Sequence, residues 1–164
     1  MSKLSVYDLN SRETWQEMLD KMQSALGMPT GLLDLDNIIL QSSGERNELC
    51  REIRNRNEAK PIICGQSQKF MAEMARTQKS VVVEVCEAGM AKLVVPVFRG
   101  QNYLGSITAC GAVLPETEIE TYLVEKTTGI GEDAIAEMAD QVLTVQKEQL
   151  QQIGEEVFSS LNAS

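Results

Sequence analysis

The chain has 164 residues, of which 43% are apolar and 24% charged, a balance that fits one folded domain and excludes a disordered chain. Fifteen basic residues against 24 acidic ones give a formal net charge of −9, which disfavours direct binding to nucleic acids or to anionic lipids. The chain contains no histidine, so it lacks the commonest general base and metal ligand, and many enzyme classes are disfavoured.

No apolar run approaches the ~20 residues of a membrane span, and the start, MSKLSVYDLN, lacks the apolar core of a secretory leader. We therefore expect a cytoplasmic protein that has no membrane partner. Its four cysteines are separated by 13, 21 and 23 residues. We expect them to be free, because structural disulfides are rare in that compartment.

The first half of the chain predicts a helix, a hairpin and two further helices. Ser11 is a suitable N-cap for a helix that Gly27 ends, and the runs GLLDL and NIILQSS predict a β-hairpin. The charged stretch 45–59 predicts a helix with Cys50 on its inner face. Cys64 lies in a short connector, PIICG, just before a third helix.

The runs SVVVEVC, KLVVPVFRG and NYLGSITACGAVL predict three consecutive antiparallel strands. Pro96 cannot donate a ladder hydrogen bond, so it indicates an edge or a bulge in the middle strand. Strand alternation places Cys110 and Thr108 on one face of the last strand, opposite Ala109.

The remaining chain predicts helices. One lies between Pro115 and Gly129, and an uninterrupted helix is expected from Glu132 towards Leu161. Along the second helix runs an apolar stripe formed by Ile135, Met138, Val142, Leu150, Ile153, Val157 and Leu161. One small domain seldom buries so long a stripe alone, so we expect a homodimer through this helix.

The predicted order is helix, two strands, two helices, three strands and long helix. It indicates an α+β fold with a five-stranded, mostly antiparallel sheet, flanking helices and a long C-terminal helix. This is the layout of small ligand-sensing folds. We divide the chain into a sensory domain, residues 1–130, and a C-terminal dimerisation or signalling helix, residues 131–164.

Several segments together resemble the PocR sensory domain family, a variant of the PAS-like fold. They are Trp15 in the first helix, LCREIR with Cys50, PIICG with Cys64, VEVCEAGM with Cys86 and Gly89, LVVPVFRG, and YLGSITACGAVL. The similarity extends over roughly Ser11 to Leu114. The sequence departs from the family pattern at Cys110 and Ala112, where other small or polar residues are expected.

The resemblance implies a sensor rather than an enzyme. Family members bind small organic molecules such as short diols and are usually joined to DNA-binding, kinase or chemoreceptor modules. No output module follows here, so the resemblance implies a stand-alone regulator, with a separate output protein as partner, or an excised sensory domain.

The predicted ligand pocket is bordered by cysteines from separate elements. Its candidate ligand-binding residues are Cys50, Cys64, Cys86, Gly89, Met90, Met74, Phe98 and Tyr103. Methionine and aromatic side chains suit an adaptable apolar pocket, although most such residues are simply core. No residue is predicted to be catalytic: Glu84 and Glu87 flank Cys86, but strand alternation favours their facing solvent.

Two alternatives for the cysteines stay open. The first is a soft-metal or redox sensor in which Cys50, Cys64, Cys86 and Cys110 hold zinc, copper(I) or an iron–sulfur cluster. The second is that each thiol is a small buried hydrophobe, which is the stronger interpretation for Cys110.

Overall fold

A computed structural model describes residues 4–162 and contains one five-stranded sheet with helices on both faces. The strands are β1 (Thr30–Leu33), β2 (Ile39–Ser43), β3 (Val82–Val85), β4 (Ala91–Arg99) and β5 (Asn102–Ala112). The helices are α1 (Arg12–Leu26), α2 (Glu48–Arg54), α3 (Gln66–Gln78), α4 (Thr121–Thr128), α5 (Glu132–Ala139) and α6 (Lys147–Leu161). A 3₁₀ turn (Val6–Asp8) precedes α1, and a π-helical turn (Lys60–Gly65) leads into α3.

The sheet has the order β2-β1-β5-β4-β3, and all neighbouring strands are antiparallel. The predicted α+β fold with a five-stranded antiparallel sheet is therefore confirmed. No helix among residues 4–162 has the length and apolar character needed to cross a lipid bilayer.

Helix α1 has the boundaries that its sequence predicts. The Ser11 side chain accepts a hydrogen bond from the backbone N–H of Thr14 at 3.2 Å, and Gly27 ends the helix with a left-handed φ of 71°. Trp15 is fully buried, and its indole N–H donates to the carbonyl of Val6 at 2.9 Å. The local sequence is enough to predict this helix, because the capping residues and the apolar periodicity give the same boundaries.

Strand β4 lies between β5 and β3 and presents alternate residues to the two faces of the sheet. Leu93, Val95 and Val97 belong to the large core that includes residues of α1 and α6. Val94 packs instead against α3 on the opposite face. The pairing of β4 with β3 ends at Val94, whereas its pairing with β5 continues through Pro96. Pro96 is therefore unpaired on the β3 side, which confirms the predicted edge position.

The expected uninterrupted helix from Glu132 to Leu161 is wrong. Helix α5 ends at Ala139 and α6 begins at Lys147, because the chain between them pairs with the end of the sheet. Val113 donates to the Leu143 carbonyl at 2.8 Å, and Val145 donates to the Val113 carbonyl at 2.9 Å. These non-local bonds satisfy backbone groups that a continuous helix would have satisfied internally.

The break divides the apolar stripe between two cores of the same chain. Ile135, Met138 and Val142 pack with residues of α2 and α4, whereas Leu150 and Leu161 pack beneath the sheet with α1. The stripe is therefore largely covered within one subunit. Dimerisation stays a prediction, but it loses the argument on which it was based.

Candidate ligand-binding site

Asn47 fixes the start of α2 against the sheet. Its side-chain oxygen accepts from the backbone N–H of Cys50 at 2.8 Å, and its side-chain N–H donates to the Gly111 carbonyl at 2.9 Å. One residue thus caps the helix and ties it to β5. A side chain on Gly111, whose φ is 105°, would be strained and would meet Cys50 and Asn47. This close approach places the Cys50 thiol over the end of β5.

The four cysteines, from α2, the π-helical turn, the end of β3 and β5, line one small cavity of about 50 Å³, which we call the cysteine-lined cavity. Its lining comprises Arg46, Cys50, Ile53, Arg54, Ile63, Cys64, Ser67, Cys86, Met90, Lys92, Cys110 and Gly111. The Cys50 sulfur lies 3.5 Å from the Met90 sulfur. The cavity has room for a water molecule or two but not for an organic ligand.

Burial keeps the thiols of Cys50, Cys64 and Cys86 protonated. Desolvation raises the pKa of Cys50 far above its ordinary value, and the nearby Cys110, Cys86 and Cys64 raise it further. Desolvation also raises the pKa values of Cys64 and Cys86, although the Arg54 charge partly opposes the shift at Cys64. At neutral pH these three groups are therefore poor nucleophiles, since nucleophilic attack needs the thiolate.

The metal alternative gains no support from the geometry. Within residues 4–162, no three or more cysteine and acidic side chains are arranged so that they could hold a metal ion. The four thiols share a cavity without converging on a point, which fits packing and pocket lining better than coordination.

A larger cleft of about 650 Å³ adjoins the cysteine-lined cavity on the same face of the sheet. Its lining comprises Leu33, Asp36, Asn37, Ile38, Ile39, Arg46, Arg54, Lys60, Pro61, Cys64, Gly65, Gln68, Lys69, Lys92, Thr108 and Cys110. Five residues line both spaces: Arg46, Arg54, Cys64, Lys92 and Cys110. We call the larger space the cleft; the cysteine-lined cavity lies at its inner end.

Strands β4 and β5 supply the floor of the cleft. Lys92 and Cys110 are direct cross-strand partners, and Thr108 follows two residues away on the same face. Lys92 is only 8% exposed, although it carries a charge. The predicted shared face of Cys110 and Thr108 is confirmed, and Ala109 lies in the core on the other side.

Gln68 connects three elements around the cleft. From α3 its amide N–H donates to the Asn37 side chain in the β1–β2 turn at 3.0 Å and approaches the Ser106 hydroxyl of β5 at 3.5 Å. Asn37 itself has a left-handed φ of 62°. Gln68 lines the cleft, and within residues 4–162 its side-chain oxygen is buried without a hydrogen-bond partner.

The structure places the other predicted ligand-binding residues differently. Met90 lines the cysteine-lined cavity, but Met74, Phe98 and Tyr103 line neither space. Phe98 and Tyr103 stack edge to face at 5.7 Å, and Met74 packs against the apolar cluster between α3 and the sheet. The positions of these three side chains give a ligand-binding role no support.

Gly89 has a conformational role. It turns the chain between β3 and β4 with a left-handed φ of 91°, and a side chain there would collide with the Glu118 carbonyl. The turn requires glycine at this position of the VEVCEAGM motif. It also brings Cys86 and Met90 into the cysteine-lined cavity, beside residues of α2.

The sequence patterns did not predict four charged or amide residues of the cleft: Arg46, Arg54, Gln68 and Lys92. Only Lys92 had a usable signal, as the one charged residue between Ala91 and Phe98 in an apolar strand. Arg54 and Gln68 lie on helices and Arg46 in the loop before α2, and nothing in the local sequence indicates a cavity beside any of them.

Comparison with known proteins identifies a family for the chain. A family model described as "Sensory domain found in PocR" matches residues 8–163. Among curated proteins, none matches the chain. One solved structure, the C-terminal domain of a putative transcriptional regulator from Vibrio cholerae, is similar at 13% identity with a TM-score of 0.38. That match covers 82% of this chain and 96% of the other.

Proposed function

Because the chain belongs to the PocR sensory domain family, we propose that it senses a small organic molecule held in the cleft, with the thiols of the cysteine-lined cavity at the inner end of the site. The ligand would control signal transduction or transcription through a separate output protein. The proposal includes a cytoplasmic location and no catalytic step.

The observation that carries the proposal is the cleft itself. Its volume of about 650 Å³ lies within the range of roughly 300–1,000 Å³ that small-molecule sites occupy. It combines apolar side chains, such as Leu33 and Ile39, with polar groups from α2, α3 and β4. Most pockets that recognise small molecules share this mixture, since apolar contact gives affinity and a few polar groups give orientation.

A path from the cleft to the C-terminal helix runs through β4. Lys92 lines the cleft, and its neighbour Leu93 faces the opposite side of the sheet, where α6 packs. A Cβ atom at Gly154 of α6 would lie 2.7 Å from Leu93, so the helix backbone rests directly on this strand. A ligand that shifts β4 would therefore favour one position of α6 over another.

The proposal is tested by thermal-shift screening with small alcohols, diols and carboxylic acids, followed by calorimetric titration of any hit. A ligand that binds only the folded state raises the melting temperature. Gly65→Leu provides the site test, because Gly65 lines the cleft with ordinary helical dihedral angles and a Cβ atom there meets nothing closer than 3.8 Å.

Gly65→Leu should weaken binding about tenfold or more by filling the cleft. Gly131→Leu is the matched control, since Gly131 is exposed with open space around it, and it should leave the affinity unchanged. A hit whose affinity is the same in both variants would place the ligand elsewhere, and a panel without any hit would count against small-molecule sensing.

We also propose self-association through α6 as part of the signalling mechanism. Ile153 and Val157 are half-buried and line a groove of about 360 Å³ between α6 and α1. Light scattering of the wild type and of Val157→Glu tests this: a dimer that the charge disrupts supports it, and a monomer at all concentrations contradicts it.

A further inference from the structure

We propose that the molecule recognised in the cleft is a small organic acid with a hydroxyl group and an apolar body, and not a neutral diol. The inference rests on the proposed function and names the ligand class of the same site. Its first support is charge. The cleft is lined by Arg46, Arg54, Lys60, Lys69 and Lys92, with Asp36 as the single acidic lining residue. In a chain of net charge −9, this is a strong local reversal of sign.

These five basic side chains are not used in ion pairs of the protein itself. Between residues 4 and 162 the ion pairs are Arg56–Glu52 and Arg76–Glu73, and neither contains a cleft residue. Basic groups gathered in a concave site focus the electrostatic potential and attract anions despite an acidic surface elsewhere. A bound anion would supply the missing counter-charge.

Lys92 is the most informative of the five. The residue as a whole is 8% exposed, and a lysine covered to this extent is seldom left without an anionic partner. Lys92, Arg46 and Arg54 line both the cleft and the cysteine-lined cavity, so these three cations meet at the inner end of the site. A carboxylate or phosphate at this end would take charge-assisted hydrogen bonds from them.

The buried Gln68 oxygen defines a second requirement. Gln68 lines the cleft, and its oxygen has no hydrogen-bond partner among the described residues, so a hydroxyl donor of a ligand that reaches it would satisfy it. An ionised carboxylate cannot donate, whereas a hydroxyl on the same molecule can. The ligand should therefore carry both groups.

The mouth of the cleft adds an apolar requirement. Ile38 and Ile39 are 59% and 39% exposed, and with Leu33 and Pro61 they form the apolar part of the lining. An alkyl or aryl body would cover this surface, which is otherwise left in water.

Matched pairs of compounds isolate the anionic group. Calorimetric titration compares lactate with 1,2-propanediol and mandelate with 1-phenyl-1,2-ethanediol, which replace a carboxylate by a hydroxymethyl group and keep the rest. We expect each acid to bind about tenfold or more tightly than its diol, with an affinity that falls as salt is added. Phenyl phosphate and inorganic phosphate, titrated in parallel, distinguish a carboxylate site from a phosphate site.

Two variants assign the effect to the cleft. Lys92→Met and Arg54→Gln should each weaken mandelate binding about tenfold or more, by removing one cation from the site. Arg99→Met is the matched control, because it removes the same charge from the exposed end of the same strand. Circular dichroism and melting curves establish that each variant is folded before it is titrated.

The Gln68 requirement is tested with phenylacetate, which is mandelate without its hydroxyl. Wild type should prefer mandelate by about tenfold, and Gln68→Leu should lose that preference while still binding phenylacetate. Equal affinity of wild type for the two acids would remove the hydroxyl from the proposal.

The outcomes separate the two proposals. Diols that bind as tightly as their acids would overturn the anionic ligand and leave small-molecule sensing intact. Acids that bind equally well to wild type, Lys92→Met and Arg54→Gln would overturn the assignment to this cleft. If neither acids nor diols bind, both proposals fail.

Discussion

The two faces of the sheet are built from the same strands but differ in packing and charge. On the face covered by α1 and α6, Leu93, Val95 and Ile107 are fully buried in one continuous apolar core. On the face covered by α2 and α3, the next residues along β4 and β5, Lys92 and Thr108, line a cleft. Strand alternation lets one segment of chain serve both purposes.

The contrast indicates how stability and recognition are divided. A close-packed apolar face gives the largest share of folding free energy, whereas unpaired polar groups and cavities cost stability and are retained where a site needs them. We therefore expect substitutions on the α1–α6 face to change stability and those in the cleft to change binding.

The first prediction concerns Leu93, which is fully buried beneath α6. Leu93→Ala should lower the free energy of unfolding by about 2–5 kcal/mol, because it removes apolar contacts and leaves a cavity. Urea denaturation measures the change. Val85→Ala, at a position 37% exposed, is the control and should cost less than about 1 kcal/mol. An equally small loss for Leu93→Ala would contradict the close packing of this face.

The second prediction concerns the contact between α6 and the sheet. A Cβ atom at Gly154 would lie 2.7 Å from side-chain carbons of Leu93 and Val81, so Gly154→Leu should destabilise the fold by about 1–3 kcal/mol through overpacking. Gln152→Leu, on the exposed side of α6, should change stability little. If the two variants have the same urea midpoint, α6 does not rest on the sheet as closely as described.

The third prediction is a pH dependence from the buried thiols. Burial raises the pKa of Cys50 above its ordinary value, so above pH ~8.5 the unfolded chain loses this proton while the folded chain keeps it. Rising pH therefore favours the unfolded state. Each such thiol contributes a loss of about 1 kcal/mol per pH unit above that point.

Comparison of wild type with Cys50→Ala isolates the contribution of Cys50 to the pH dependence of stability, since their other titrating groups are the same. Urea denaturation from pH 7 to pH 10 should give two curves that converge above pH 8.5, with the variant losing stability less steeply. Parallel curves over the whole range would indicate that Cys50 titrates normally in the folded protein.

The fourth prediction is a small change in stability at the cleft. Lys92→Met keeps the aliphatic stem of a residue that is 8% exposed and removes its charge. We expect a change of no more than about 1 kcal/mol, because Met retains the apolar stem and no ion pair of Lys92 within residues 4–162 is lost. Thermal and urea unfolding measure the change. A loss of more than about 2 kcal/mol would mean that the Lys92 charge stabilises the fold, and would contradict the prediction.

The sequence predicted the parts of the fold whose signals are local. Ser11 and Gly27 bound α1 as expected, and turn residues such as Asn37 and Gly89 join strands whose alternation was readable. The predicted C-terminal helix is present as α6, but its expected continuity from Glu132 is wrong, because Thr144 pairs with Val113, a contact between distant segments that helical periodicity cannot reveal.

The site was less predictable than the fold for the same reason. The cysteines were noticeable because the chain has only four of them, and all line one cavity. Arg54 and Gln68 come from separate helices and look like ordinary surface residues until the fold places them beside Lys92. A cleft is a property of the spaces between elements, so single-element patterns do not specify its lining.

If the α2–α3 face of the sheet binds the ligand, an NMR titration of ¹⁵N-labelled protein with mandelate will locate the binding on that face. We predict that the largest changes in amide chemical shift occur in the cleft, at Arg54, Cys64, Gln68, Lys92 and Thr108. The amide signals of residues 12–26 in α1 should not shift. Largest shifts along α1, or none anywhere at millimolar mandelate, would contradict binding at that face.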